Sequence, residues 1–472
     1  MKMFKIVIKL FLSVILIVTT VYTVYLLKNL GLTYNKYILL LIIVLCIISL
    51  LLITGVLFVK KIVIKVFIYI FYLIITVSLV VIIFYLSNTL NFVNSFGHAK
   101  KSYDYYHVIV NIDSKYHSIE NLDGKIIGNT SNVSDDILNK LDINITSNNY
   151  DSLEKLYDDL KNNKIDAFVV SDAEAYLLEE QKNENFTKNI RVLKTIKVKK
   201  ELEQEEQKLL NDSFIMYISG IDTSGSISKV SRSDVNILVT VNTNTHQILL
   251  SSIPRDYYVQ LHGTTGYKDK LTHAGIYGID MSISTIEDLI ETKIDYYIRV
   301  NFDTLIKLID SIGDIEIYSD KDLSFCDIKE GYNTLNSKCA LRFARERKSY
   351  ETGDRHRGKN QEEILNAIIN KIGNSKILLT KYDDILKSLE GNFDTNITSA
   401  EIKNIIKIQS KDMPHWDINT YNLDGYGEYN YTYSYPNLEL YVMEADMNTV
   451  NSLKNYIKVI FDGKKYNEIS DN

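Results

Sequence analysis

The chain is short of the residues that staple or break structure, with three cysteines, three prolines and one tryptophan in 472 residues. No Cys/His spacing suggests a structural zinc site. A strong positive balance is also missing. The formal net charge is -6, which removes support for wholesale nucleic-acid binding, so any anion site must be local. The lack of proline, set beside 34 tyrosines, speaks of composition bias more than of function. Cys46 lies in an apolar run, whereas Cys326 and Cys339 lie in the polar remainder. A disulfide can persist there if that part is exported, and the spacing permits a bridge without proving one.

Long apolar runs, by contrast, fill the first 90 residues. Leu10 to Leu27, Tyr37 to Val59 and Val66 to Leu86 carry no charge. Each is long enough to cross a hydrocarbon core of about 30 Å at about 1.5 Å per residue. A cleaved signal peptide is the rival for the first run. Two further spans and the absence of a small-residue cleavage site weigh against it. Lys2, Lys5 and Lys9 precede the first span, and Lys60, Lys61 and Lys65 fill the turn between the second and third, while the intervening loop has only Lys28 and Lys36. The positive-inside rule then places the N-terminus in the cytoplasm. Three crossings put everything after Leu86 outside, at the cell membrane.

At about 150 residues per domain, the length allows roughly three units. The expected division is an anchor over 1–90, an accessory α/β unit over 103–200, and a larger mixed α/β unit over 211–472 with a central sheet flanked by helices. In the accessory unit, "HVIVNI" and "IDAFVVS" read as strands, and Leu153, Leu156, Tyr157 and Leu160 recur at helical spacing. The unit is loosely similar to one lobe of the periplasmic solute-binding fold, and a spacer or interaction module is the preferred reading. "KVKKELEQEEQK" is expected to close it as a charged connection. Further on, "DVNILVTV" and "HQILLSSIP" read as strands of a hairpin turned at "NTNT". Helices are expected at "STIEDLIE", "FDTLIKLIDSIG", "NSKCALRFARER" and "NQEEILNAIINKIG".

Chemistry gathers in three clusters. Asp222 in "GIDTSG" ends one strand and Asp234 in "SRSDVNILV" starts the next. Two facing carboxylates repel unless a cation lies between them, and Mg²⁺ suits such oxygen ligands. On spacing alone, turn or capping roles are the stronger reading for both. Arg255 follows Pro254, which fixes the backbone at a strand exit, and Arg232 lies beside Asp234. The third cluster is "ARERKSYETGDRHRGKNQ", with six Lys or Arg, three carboxylates and a histidine. There Arg345 and Arg347 end one helix, and Arg357, Asn360 and Gln361 lead into the next, whose N-terminus would add N–H donors. Several arginines with a divalent ion describe a pocket for a diphosphate.

These residues also carry a resemblance. "GIDTSG", "RSDVNILVTV", "SIPRDYYV", "KLTHAGIYG", "NFDTLIKLIDSIGDIEI" and "EGYNTLNSKCALRFARERKSYETGDRHRGKNQ" follow the order and spacing of the LytR-CpsA-Psr family. The three-span anchor and accessory unit resemble its capsule-associated branch. The resemblance implies an extracytoplasmic phosphotransferase that moves an anionic glycopolymer, such as a capsular polysaccharide or a teichoic-acid-like chain. The donor would be a polyprenyl-pyrophosphate carrier and the acceptor peptidoglycan, with Mg²⁺, or Mn²⁺ as the alternative. Carried over by motif position, Asp222 and Asp234 are metal ligands. Arg232, Arg255, Arg345, Arg347, Arg357 and Gln361 grip the pyrophosphate, with Arg255 and Arg347 also counted as catalytic. Asp354 orders the arginines, and Asp234 or Asp354 takes the acceptor proton. Many members have arginine where this chain has Asn360. The competing readings are a pyrophosphatase of the same lipid and a non-catalytic membrane sensor. His273 reads as structural, and the tyrosines from Tyr426 to Tyr435 read as packing and surface rather than a sugar platform.

Overall fold

The computed structural model describes residues 2–96, 103–182, 185–199, 212–221, 227–350, 353–373, 392–412 and 415–466. Three N-terminal helices, α1 (Lys2–Asn29), α2 (Lys36–Phe58) and α3 (Ile62–Ser95), are long and apolar enough to cross a membrane. They are apolar all round, and most of their large side chains face outward, as helices in lipid do. Asn35 caps α2 by accepting from the Tyr37 and Ile38 amides. Gly31, with φ +76°, turns the chain between α1 and α2, and a Cβ there would lie 3.2 Å from the Lys403 carbonyl.

A five-stranded sheet follows, built from β1 (Tyr103–Asn111), β2 (Lys125–Thr130), β3 (Ile145–Tyr150), β4 (Ala167–Ser171) and β5 (Ile190–Lys199) in the order β3-β2-β4-β1-β5. Helices α4 (Asp135–Asn139), α5 (Leu153–Lys161), α6 (Asp172–Lys182) and α7 (Asn185–Asn189) accompany it. The apolar face of α5 buries Leu156, Tyr157 and Leu160 as its spacing predicts. The start of the expected charged connection is instead strand: Lys197–Lys199 belong to β5, paired along β1. Lys197 lies 3.8 Å from the Tyr103 ring centre, so its charge is met by a π face rather than left in a linker.

The larger unit is organised by a six-stranded mixed sheet, β14-β11-β6-β7-β8-β15. Its first members are β6 (Ser213–Ile221), β7 (Ser233–Asn242) and β8 (Gln247–Ser252), which pair antiparallel in sequence order. β7 and β8 form the expected hairpin, where Asn242 Oδ1 accepts from the Asn244 and Thr245 amides. The short β9 (Tyr258–Val259) and β10 (Asp269–Lys270) precede α8 (Leu271–Ala274) and α9 (Ile279–Ile290). Next come β11 (Tyr296–Asn301), α10 (Phe302–Ile312), β12 (Ile315–Ser319), β13 (Gly331–Leu335), α11 (Ser337–Arg345) and α12 (Asp354–Gly373). The chain continues through β14 (Phe393–Thr395), α13 (Ser399–Asp412), β15 (Asp417–Asn422), β16 (Gly425–Tyr431), β17 (Glu439–Ala445) and α14 (Met447–Phe461).

One sheet face packs on α9 and α14 through Ile286, Ile290, Val450 and Leu453. A second core under α10, α11 and α12 holds Ile309, Ile317, Phe343 and Ile364. Cys326 and Cys339 are bonded, tying the loop after β12 to the first turn of α11. α12 begins earlier than the apolar stripe alone suggests. Arg357, Asn360 and Gln361 therefore lie inside the helix rather than leading into it, so its N-terminal N–H donors belong to the turn starting at Asp354.

Candidate active site

The sheet brings Asp234 and Arg255 together by register. β6 ends at Ile221, which pairs with Ser233, the first residue of β7, so Asp234 stands at the rim where two strands meet. β8 ends at Ser252, and the Ile253 amide still bonds the Asn236 carbonyl, delivering Pro254 and Arg255 to the same rim. Arg255 Nη1 lies 2.8 Å from Asp234 Oδ2, with both side chains mostly buried. Thr272 Oγ1 donates to Asp234 Oδ1 at 2.9 Å, and the Thr272 amide bonds the Arg255 carbonyl at 2.8 Å. Behind the pair sits buried Asp256, 3.7 Å from Arg255 Nε and 3.0 Å from Lys270 Nζ.

A narrow cleft runs past this pair, lined among others by Asp234, Ser252, Arg255, Arg357, Gln361 and Asn422. Arg357 is buried on the first turns of α12. Gly358 lets that helix lie against the sheet, since a Cβ there would come within 2.5 Å of Ser252 Oγ. Burial alone would raise the Asp234 carboxyl. The charges of Arg255 and Arg357, with the hydrogen bonds from Arg255 and Thr272, outweigh it and hold the group below the ordinary carboxylate range. Asp234 is thus a fixed anion at neutral pH.

Gly275 secures the other wall. A Cβ on it would meet the Ser233 nitrogen at 2.5 Å and the Ser231 carbonyl at 3.0 Å, both backbone atoms with nowhere to go. Gly275→Ala is therefore expected to push the segment after α8 off the start of β7. Overpacking of this kind costs about 1–3 kcal/mol. The displacement should appear as a lowered melting temperature together with weakened anion binding, because Asp234 and Thr272 move apart. Unchanged melting and binding would show that this wall has slack.

The remaining arginines go elsewhere. Arg345 and Arg347 are exposed and line a second, open cleft with Lys338, Arg342 and Lys348. There the Arg345 guanidinium lies 4.5 Å from the Phe302 ring centre. Arg232 is ion-paired to Glu180 of α6 and does not line the first cleft. Asp354 opens α12, but its side chain, like the whole of Asp222, lies outside the described residues. Gln361 Nε2 donates to the Ala344 carbonyl at 3.3 Å and Asn360 Nδ2 to the Phe343 carbonyl at 3.1 Å, so both cap the end of α11. A neutral amide at position 360 serves that buried carbonyl. His273 is buried and bonded through Nδ1 to Asp269 at 2.6 Å, a structural role as its surroundings suggest. Tyr435 is buried while Tyr426 and Tyr429 are exposed, so the tyrosine run serves both packing and surface.

Sequence reasoning missed Thr272, Asp256 and Lys270. Thr272 and Lys270 lie within "KLTHAGIYG" and Asp256 directly follows Arg255, so the motifs contained them, but their pairing needs the fold. For a divalent ion the donor chemistry fits in part. Among the described residues no three His, Cys, Asp or Glu side chains cluster for a metal. Asp234 nonetheless offers an ionised oxygen donor with lone pairs beyond its two hydrogen bonds. One or two carboxylates completed by phosphate oxygens and water suffice for Mg²⁺.

The chain is 33% identical over 202 residues to a polyisoprenyl-teichoic acid–peptidoglycan teichoic acid transferase TagU of Bacillus licheniformis, covering 41% of this chain and 63% of that protein. It is 34% identical over 190 residues to TagU of Bacillus subtilis, covering 40% and 61%. Biofilm regulatory protein A of Streptococcus mutans is 32% identical over 234 residues, covering 45% and 57%. The match thus spans about three fifths of the length of these relatives. Among solved structures, B. subtilis TagV aligns at 30% identity and a TM-score of 0.45, covering 54% of this chain and 99% of that one. The LytR_cpsA_psr family model matches residues 175–449, more than half of the sequence and all of the cleft described above, and the chain belongs to that family.

Proposed function

We propose that this protein is a membrane-anchored phosphotransferase that moves an anionic glycopolymer from a polyprenyl-pyrophosphate carrier to peptidoglycan. The observation that carries the reading is the buried Arg255–Asp234 pair facing Arg357 across one cleft. The printed activity of the TagU relatives supports it. The lysine distribution supports a cytoplasmic N-terminus and an extracytoplasmic cleft. The contact of α13 with both the α1–α2 loop and the end of α3 supports the three crossings themselves, since those two places share a side when three helices cross.

In this reading the pyrophosphate lies along the cleft, and the Arg255 and Arg357 guanidiniums offset charge as the phosphoryl group transfers and the polyprenyl phosphate departs. A sugar hydroxyl of peptidoglycan attacks in line with the leaving oxygen. Asp234, held ionised by its arginines, is a poor proton acceptor and a good ligand, which favours Asp354 as the base. Mg²⁺, if held by Asp234 and by Asp222, which follows β6 in the sequence, would supply further neutralisation of the diphosphate. Arg345 and Arg347 in the neighbouring cleft extend the positive surface toward the polymer or its carrier.

The test is incubation of the full chain in detergent micelles with a lipid-pyrophosphoryl oligosaccharide and peptidoglycan. Polymer should become linked to peptidoglycan, a chelator should stop the transfer, and Mg²⁺ or Mn²⁺ should restore it. Phosphate release without linkage would identify a pyrophosphatase, and binding without turnover a sensor. Transfer undiminished by chelation would remove the metal from the scheme.

A further inference from the structure

Arg232 stands two residues before Asp234, yet its guanidinium is held by the other unit. Its Nη2 pairs with Glu180 Oε2, near the end of α6. The same carboxylate accepts from Tyr435 OH at 2.5 Å and, through Oε1, from Tyr176 OH at 3.1 Å. An apolar seat of Leu177, Ile276 and Tyr435 joins α6 to the larger unit around this knot. Arg232 Nε is buried without a hydrogen-bond partner among the described residues. A buried unsatisfied donor costs about 1–3 kcal/mol, so this arginine still has bonding capacity for an acceptor. Glu180 is the only carboxylate ion-paired to Arg232 among the described residues.

We propose that Glu180 is a positioning residue that acts through Arg232: a pyrophosphate-bearing ligand at the cleft competes with this carboxylate for the guanidinium. The proposal rests on the functional reading above. It makes the five-stranded unit a regulator of the site rather than a spacer. Because coupling is reciprocal, a ligand that takes Arg232 loosens the seat of α6, and whatever tightens that seat weakens the ligand. Glu180→Gln keeps the size of the side chain and one oxygen acceptor, and its amide NH2 can donate to the other tyrosine hydroxyl, while the charge that holds Arg232 is removed.

The experiment titrates full-length protein in micelles with inorganic pyrophosphate at pH 7 and fixed ionic strength. Glu180→Gln should bind about tenfold more tightly than wild type. Glu179→Gln, which removes an exposed charge one residue away, should not. In an Arg232→Ala background the Glu180→Gln effect should vanish. Unchanged or weaker binding by Glu180→Gln overturns the proposal, as does a gain that persists without Arg232, which would mark a general charge effect. If Arg255→Ala abolishes binding while Glu180→Gln leaves it unaltered, the latch falls and the functional reading stands. Failure of every form to bind pyrophosphate overturns both.

Discussion

Arg255→Ala is expected to lower polymer transfer by about 10²–10³, the usual loss when one pre-organised donor leaves a charge-stabilising site. The side chain makes a 2.8 Å ion pair with Asp234 and lines the cleft beside Arg357. Its removal also strands a buried carboxylate, which costs about 3–5 kcal/mol where a buried pair is broken from one side. Asp234 carries a depressed native pKa, so its contribution to stability is present above the ordinary carboxylate range and lost as pH falls through the native value. In Arg255→Ala that contribution shrinks to what Arg357 and Thr272 still supply. Adding Asp234→Asn should recover melting temperature but no transfer. The comparison separates unfolding from lost chemistry. Transfer near the wild-type rate by a folded Arg255→Ala protein would refute the assignment.

Glu362→Gln is expected to stabilise the protein strongly above pH 8 and hardly at all near pH 4. Glu362 is buried on α12, and desolvation pushes its carboxyl up to about 8, against smaller lowering effects from Asn422, the Ser252 backbone and Lys359. Its Oε1 and Asn422 Oδ1 both lack hydrogen-bond partners among the described residues. The native chain therefore keeps a proton between about pH 4.5 and 8 that the unfolded chain releases. Stability falls as pH rises through that window and levels off above it. A shift of this size corresponds to a ceiling on the order of 5 kcal/mol, taking about 1.36 kcal/mol per unit. Melting curves of both proteins at pH 5, 7 and 9 would measure it. Parallel pH profiles would show that Glu362 does not titrate in this range. Ser252 and Asn422 line the cleft, so a change in their packing should also register in pyrophosphate affinity.

The anchor helices, the β7–β8 hairpin and the amphipathic helices were legible because each buries its own face, and periodicity records that burial directly. The motif residues Asp234, Arg255 and Arg357 were legible as a set. What the sequence hid was how they are shared out. Arg232 looked like part of the grip because it stands two residues before Asp234, but it lies just ahead of β7, where no strand pleat ties its direction to that of Asp234. Its partner, Glu180, lies 52 positions away in another sheet's helix. Arg345 ends α11 and Arg347 follows its extended C-cap residue, and both line the neighbouring cleft. The start of α12 was misjudged because its first turns are charged, and the apolar stripe begins only at Ile364. Asn360 and Gln361 then turned out to face the end of α11, a contact that no local pattern encodes.

Three places brace the larger unit against its anchor: the Gly31 turn packed on Lys403, the Tyr34 ring 4.1 Å from Lys407 Nζ, and Phe96 tilted against Phe393 with ring centres 5.4 Å apart. Lys403 also bonds Asn94 at the end of α3. A headpiece seated in this way works like a tool clamped to a bench rather than one swung on a cord. Under the proposed function, a carrier whose greasy tail stays embedded need only present its head at that fixed station, and the acceptor has to be threaded past it. In that same reading the reach of transfer is then set by scaffold geometry, and lengthening the junction between α3 and β1 should change which wall strands receive polymer before it changes the rate.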